Sequence, residues 1–377
     1  MKTALLVLIL TSTRPDAGKQ AFDQGRYTEA ESEFSAAVSQ AETENSAADL
    51  PVLLNNLANS QKAQGKLAEA ERSYRRALHL SNDPQGKAHS LVGLGSVNRA
   101  MGRYKEAEAH FNRALETSKA DPNATATNLS LILNGLAEIY RFEGRITEAE
   151  RSFQQARELL RKDGRTDSVE MATLDNNLGQ LYISTGEMNK AEPLLESALT
   201  TWRRRLGSNH PIYATGLNNL AAFYFRQRDI KRPEPLYREA LAIHERLLGA
   251  DHLFVAADLN NLGTLYAARH QWQEAADYFL HSLAIREKQP DAAKTEWVIT
   301  LSNLAELYFS RKNFDMAERY YAQIVTLIDS KMETESAVVP QSLENYAMLL
   351  RRKEEFAEAE RVAIQATRIR VRNALRR

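Results

Sequence analysis

Large apolar residues, small residues and tyrosines recur along this chain at a nearly fixed interval. A large apolar residue stands at Leu57, Leu94, Leu136, Leu178, Leu220, Leu262, Leu304 and Tyr346, and the next residue is always small: Ala58, Gly95, Ala137, Gly179, Ala221, Gly263, Ala305 and Ala347. Four residues beyond the large one, consecutive copies carry Tyr140, Tyr182, Tyr224, Tyr266 and Tyr308. An i, i+4 pair marks one helix face, and the small residue between lets a second helix approach. Eight residues beyond the large one comes a marker: Gly65, Gly102, Gly144 and Gly186, then Arg228, His270, Lys312 and Glu354, with Gly25 equivalent at the start. From Gly102 onward each step is 42 residues, and the first two are 40 and 37. The marker predicts a turn that suits glycine and tolerates other residues at some cost in strain. A second apolar set follows it: Ala70, Tyr74, Ala77; Ala107, Phe111, Ala114; Ala149, Phe153, Ala156; Ala191, Leu195, Ala198; and Ala275, Phe279, Ser282. In the copy at 228 Pro233 replaces the first alanine, which a helix start accepts. Each unit is therefore a helical hairpin with a small–large–small seam that only stacked copies bury continuously.

This pattern resembles the tetratricopeptide repeat, with its large–small–aromatic first helix and Ala–aromatic–Ala second helix. The family's usual period is about 34 residues. The longer period here, with "NNLA" at 55–58, "KRPEPLYREAL" at 231–241 and the linkers "RRLGSNHP" and "RLLGADH" ending at Pro211 and His252, is similar to the variant in kinesin light chains and their bacterial relatives. The resemblance runs over residues 16–377. It implies an all-α fold, a right-handed superhelical solenoid of antiparallel helix pairs, with a partial first repeat followed by eight full repeats across 18–377. It also implies a protein or peptide partner held on the concave surface.

The first helices carry an unexpected polar element. Asn56, Asn177, Asn219, Asn261, Asn303 and Asn345 each immediately precede the large apolar residue, although Asn costs a helix roughly 0.5 kcal/mol relative to Ala. That position points about 100° away from the seam. In the family it faces the concave groove and binds ligand backbone, and the resemblance carries that role to these six residues. Two copies have Gly93 and Gly135 instead, where the groove is expected to be wider and less polar. The alternative is that the Asn side chains bond carbonyls ending the preceding helix and fix the stacking. The asparagines one position earlier, Asn55, Asn134, Asn176, Asn218 and Asn260, are expected to be structural. Further along the same helices lie Lys62, Arg99, Arg141, Arg226, Arg351 and Arg352, with Phe225 and Phe309 among them and Phe142 one place beyond. Basic ends and aromatic patches suit an acidic peptide with an aromatic anchor, the kind that kinesin light chain relatives bind. The alternative is a solvated face of scattered cations, its field broken by Glu138 and Glu306.

Composition narrows the function. Lys plus Arg equals Asp plus Glu, 49 against 49, which argues against nucleic acid as partner. The absence of cysteine excludes disulfides, thiolate metal sites and a cysteine nucleophile. "GLGS" at 93–96 follows no strand and is helix packing, "HERLL" from His244 lacks a second histidine, and His210 and His252 are lone linker residues. The sequence thus calls for no catalytic residue, no cofactor and no metal. At the start, Ala4–Leu10 is wholly apolar and too short to span a bilayer. Met1–Ala17 has the character of a secretory signal, though Arg14, Pro15 and Asp16 depart from the small-x-small cleavage pattern; the alternative is an irregular first helix. A signal would make the protein exported, periplasmic or secreted; otherwise it is cytoplasmic. The function expected is a non-catalytic scaffold that binds an extended, acidic segment of a partner in its groove. The rivals are a regulatory subunit of a separate enzyme, and an adaptor that works through its convex face or its ends.

Overall fold

The computed structural model describes residues 17–44, 48–288, 294–329 and 338–375, so the apolar leader, apart from Ala17, lies outside the described residues. The described chain is helical, with no strand: α1 Ala17–Asp23, α2 Tyr27–Thr43, α3 Leu50–Ala63, α4 Leu67–Leu80, α5 Pro84–Ala100, α6 Tyr104–Lys119, α7 Ala126–Phe142, α8 Ile146–Lys162, α9 Val169–Thr185, α10 Met188–Leu206, α11 Pro211–Arg226, α12 Pro233–Leu248, α13 Leu253–Ala268, α14 Trp272–Glu287, α15 Lys294–Ser310, α16 Phe314–Asp329, α17 Val338–Arg352 and α18 Phe356–Leu375. Odd-numbered helices from α3 carry the large–small pair, followed by the tyrosine in α7, α9, α11, α13 and α15, and are called A here; the helices after each marker are called B. Pro233 does open α12, where its missing N–H costs nothing.

The hairpin turn repeats in detail. At every marker the residue is left-handed, from Gly144 (φ 74°) to Gly186 (φ 84°), and also at Arg228 (63°), His270 (62°), Lys312 (60°) and Glu354 (64°). The next residue donates its N–H to the carbonyl five residues before the marker-plus-one position, as Lys66 to Gln61 (2.9 Å), Arg145 to Tyr140 (2.8 Å), Gln271 to Tyr266 (3.0 Å) and Glu355 to Leu350 (3.0 Å). This is the Schellman closure, which satisfies carbonyls that the helix end leaves open.

Two compact units make up the fold: one runs to Phe223 and includes Ala242–Ala250, the other holds Tyr224–Leu241 and Asp251 onward. In the first unit the seam rings Phe34, Tyr74, Phe111 and Phe153 are fully buried. Each such side chain contributes about 1.5–3 kcal/mol of burial. Phe111 is clasped between α5 and α7: a Cβ on Gly95 would lie 2.9 Å from its ring, and one on Gly135 only 2.3 Å. At Gly93 an added Cβ would lie 2.2 Å from Tyr74. This corrects the expectation of a wider groove at Gly93 and Gly135. The space is filled by the aromatic ring of the preceding B helix, and glycine is what admits it. In the second unit Gly263, at the position equivalent to Gly95, admits Phe279 of the B helix that follows it, at 2.6 Å. The motif tyrosines add hydrogen bonds to the preceding B helix, Tyr182 Oη to Glu150 (2.7 Å) and Tyr266 Oη to Glu234 (2.8 Å).

The first unit also folds back on itself. The α1–α2 turn meets the α10–α11 linker, where a Cβ on Gly25 would lie 2.6 Å from Pro211. His210, buried beside it, accepts the Ile212 N–H on Nδ1 (3.1 Å), so its proton sits on Nε2, which faces the Asp23 carbonyl at 3.2 Å.

Candidate peptide-binding face

The A helices of the first unit are buried nearly all round. Continuous buried runs cover Ser90–Arg99 on α5, Ser130–Ile139 on α7 and Glu170–Gly179 on α9. The polar side chains on these helices are therefore buried too, and must find partners within the protein.

The asparagines find one another. Asn219 donates Nδ2 to Asn176 Oδ1 (2.9 Å), Asn176 donates to Asn177 Oδ1 (3.1 Å), and Asn177 donates to Asn134 Oδ1 (2.9 Å). An amide chain thus crosses α11, α9 and α7: the two links between helices join the second asparagine of one repeat to the first asparagine of the repeat before, and the Asn176–Asn177 bond connects them within α9. In the second unit Asn303 donates to Asn260 Oδ1 in the same register (3.0 Å). Asn345 donates instead to Glu306 (2.6 Å), which also accepts the Tyr321 hydroxyl (3.1 Å). Asn261 is half-buried on α13. At α5, where Gly93 has no side chain to offer, Ser90 donates to Asn55 Oδ1 (3.0 Å). Apart from the Asn176–Asn177 bond within α9, these bonds run side chain to side chain between neighbouring A helices, and their acceptors are side-chain oxygens, not carbonyls of the preceding helix. Asn56 is 2% exposed, and its Nδ2 finds no partner.

The cations divide. Arg141 holds Glu138 with two bonds of 3.1 Å and Arg99 approaches the same carboxylate at 3.6 Å. Burial by itself would raise the Glu138 carboxyl, but Arg141 and then Arg99 outweigh it and hold it below its ordinary value. Arg99 is itself lowered by burial, offset in part by Glu138. The Lys62 head is buried without a partner, and burial, with Arg99 adding to it, lowers its ammonium to about 7. Arg226, Arg351 and Arg352 are exposed, with the Arg352 guanidinium 5.5 Å from the Phe314 ring. Phe225 is half-buried, and so is Phe309, which packs edge-on to Phe314 (5.7 Å). Phe142 stacks on Tyr104 (5.6 Å) beneath the Arg141 guanidinium. Asn59 and Ser96, one turn beyond the asparagine position, were not singled out from the sequence; their i+3 spacing from Asn56 and Gly93 places them on the same stripe. Among the described residues no group of His, Cys, Asp and Glu could hold a metal ion, and no helix is long and apolar enough to cross a membrane.

Family models described as tetratricopeptide repeat match residues 53–88, 87–162, 170–232, 213–288 and 298–370, well over half of the sequence, and the chain belongs to this family. No curated protein matches the sequence significantly. Among solved structures, a Rap protein complexed with Competence and Sporulation Factor is similar over 96% of this chain and 100% of its own, at 13% identity and a TM-score of 0.62. The apo form of RapI is similar over 93% of this chain and 95% of its own, at 13% identity and a TM-score of 0.54. BtubC (BKLC) from P. vanneervenii is 24% identical, over 62% of this chain and 93% of its own, with a TM-score of 0.47. Tetratricopeptide arrays are generally non-catalytic and bind protein partners, and the fold described above is of that kind.

Proposed function

We propose that this protein is a non-catalytic scaffold whose A-helix face captures an extended segment of a partner protein. The observation that carries this is the polar lining of that face: amide, cationic and aromatic side chains follow one another along consecutive A helices, with buried donors still unmatched at Asn56, Asn59 and Lys62. An extended peptide offers a carbonyl at every residue to such donors. The structural likeness to a Rap protein complexed with Competence and Sporulation Factor agrees with a fold that accommodates a ligand, and does not identify one here. The asparagines serve two ends in this account. Their mutual bonds space the A helices, and the row they form is the floor on which a ligand lies. Within the second unit the exposed Arg226 and Arg351 draw an acidic segment toward Asn261, Asn303 and Asn345.

A second reading has its own support. On α18 the large apolar side chains Phe356, Ile364 and Val371 are 64%, 45% and 51% exposed, which suits an adaptor that docks through its last helix. A selection of random 12-residue peptides on the full chain separates the two. Under the first reading, selected peptides are acidic, lose affinity in Arg226→Glu and Arg351→Glu, and converge with wild type at high salt. Peptides that ignore these changes and are lost in Ile364→Asp favour the adaptor. Export is proposed on the apolar run Ala4–Leu10, and N-terminal sequencing of the protein from its native host tests it: an intact Met1 in the cytosol would refute it.

A further inference from the structure

Six residues beyond the marker, nearly every B helix carries a glutamate: Glu31, Glu71, Glu108, Glu150, Glu192, Glu234, Glu318 and Glu360, with Ala276 the exception. Five of them pair with a cation beside the marker of the following repeat: Glu31 with Lys66, Glu71 with Arg103 (2.9 Å), Glu108 with Arg145 (3.0 Å), Glu234 with Arg269 and Glu318 with Lys353. Glu150 instead accepts the hydroxyl of Tyr182, again from the following repeat. A recurrent staple thus accompanies the stacking, with a carboxylate on one B helix and a donor on the hairpin laid against it.

At two places the staple is half-made. Glu360, exposed on α18, has no ion pair among the described residues. Arg26, beside the marker Gly25, is the other half. Its counterpart Arg145 bonds its own hairpin through Glu143 (3.0 Å) and Glu148 (2.6 Å), and the preceding repeat through Glu108. Arg26 has the two local partners in the same register, Gln24 and Glu29, and among the described residues no carboxylate of another repeat. Its turn rests on Pro211, yet the Arg26 side chain stays 40% exposed. Phe356 marks the same open face as Glu360. Elsewhere the aromatic residue opening a B helix is met by the following A helix: Tyr104 stacks on Phe142 (5.6 Å), and Phe314 lies 5.5 Å from the Arg352 guanidinium. Phe356 is 64% exposed. On α18 the ring and the carboxylate that earlier repeats turn toward a following hairpin are therefore both open, and the α1–α2 hairpin carries the cation that such a hairpin brings.

We infer that copies of this chain stack head to tail: the α18 face of one copy receives the α1–α2 hairpin of the next, and Glu360 of the first pairs with Arg26 of the second as Glu108 pairs with Arg145 within a copy. The partner surface is thus the protein's own, and the contact continues the repeat stacking across two chains. α1 is only 7 residues long, so the contact is small and the association weak. Its ion pair is exposed and salt-sensitive, and Phe356 supplies the apolar part. The inference is independent of peptide capture on the A helices.

Sedimentation equilibrium of the full chain at low salt, from about 5 to about 500 µM, tests this over the range where so small a contact associates. The weight-average mass should rise with concentration and pass that of a dimer, because a head-to-tail pair leaves one face of each kind open. Glu360→Arg and Arg26→Glu should each weaken the association about tenfold or more by setting like charges together. Both side chains reach solvent, so the helical signal and melting temperature should hold. An equimolar mixture of the two variants should recover the association, since each offers the charge that the other lacks. Glu360→Gln and Arg26→Gln remove the charges without reversing them and should weaken it less. A chain that stays monomeric throughout the range would overturn the proposal. So would association that both reversals leave unchanged, or a mixture that fails to recover it. A dimer lost in Glu360→Arg but kept in Arg26→Glu would also overturn it, and would assign the α18 face to a symmetric pair.

Discussion

Asn177 both accepts and donates: it takes the Asn176 amide on Oδ1 and gives its own Nδ2 to Asn134. Replacing it by Ala favours the helix by roughly 0.5 kcal/mol but strands two buried polar groups, each worth about 1–3 kcal/mol when left unpaired. Chemical denaturation of Asn177→Ala should therefore show a net loss of about 2 kcal/mol. A stability equal to wild type would mean that the amide chain contributes nothing to stacking. Gly93 makes a sharper case. Its missing Cβ would stand 2.2 Å from a ring that is fully buried, so Gly93→Ala forces Tyr74 or α5 to move. A loss of about 1–3 kcal/mol is expected, partly recovered by adding Tyr74→Leu. An undamaged Gly93→Ala would place the ring elsewhere.

The hairpin turn is the feature that the elements share. Glycine supplies the left-handed residue in the early repeats, and Arg228, His270, Lys312 and Glu354 adopt the same conformation at φ of 60–64°. A side chain there costs about 1–2 kcal/mol, partly offset by the greater freedom glycine has when unfolded. Each of Arg228→Gly, His270→Gly, Lys312→Gly and Glu354→Gly should raise stability by about 0.5–1 kcal/mol, and Gly65→Ala should lower it by a similar amount. Thermal melts of the single variants decide this, and a set of destabilised glycine variants would show that the native side chains make contacts outweighing the strain. The same turn explains what could be read from the chain alone. Hairpin spacing, the seam and the marker obey a linear repeat, so aligning copies exposed them, and the four non-glycine markers fell where the period put them. The candidate face was legible only as a row. Its residues could be placed on one side of the A helices by spacing, but not their partners. That Asn177 would pair with Asn134 and that Glu138 would absorb Arg141 and Arg99 depend on how far apart neighbouring helices sit. A glycine in the row looks like a gap in the sequence, which does not say that Tyr74 fills the space at Gly93 and Phe111 that at Gly135.

At the scale of the whole molecule, one contact has no echo in the repeat: the Asp23 carbonyl against His210, 187 residues away in sequence. No period links them, and only the folded first unit brings them together. Burial lowers the His210 imidazole to about 4, with the Asp23 carbonyl working weakly the other way. The folded state thus prefers the neutral ring, whose Nδ1 lone pair accepts the Ile212 N–H. Its contribution is complete above the unfolded value near 6.5 and is lost as pH falls from there toward 4, amounting to as much as about 3 kcal/mol. Urea denaturation at pH 7.5 and 5.0 should show wild type losing more stability on acidification than His210→Asn, and equal losses would dissociate His210 from the contact.

Peptide capture along the A helices is the claim on which the rest depends. Hydrogen-exchange mass spectrometry of the full chain, with and without a library-selected acidic peptide, tests it most directly. The account predicts slower exchange in α3, α5, α7 and α9, strongest around Asn56–Lys62, with little change in the B helices α4, α6 and α8. Protection confined to the B helices or to α18, or none at a saturating peptide concentration, would contradict it.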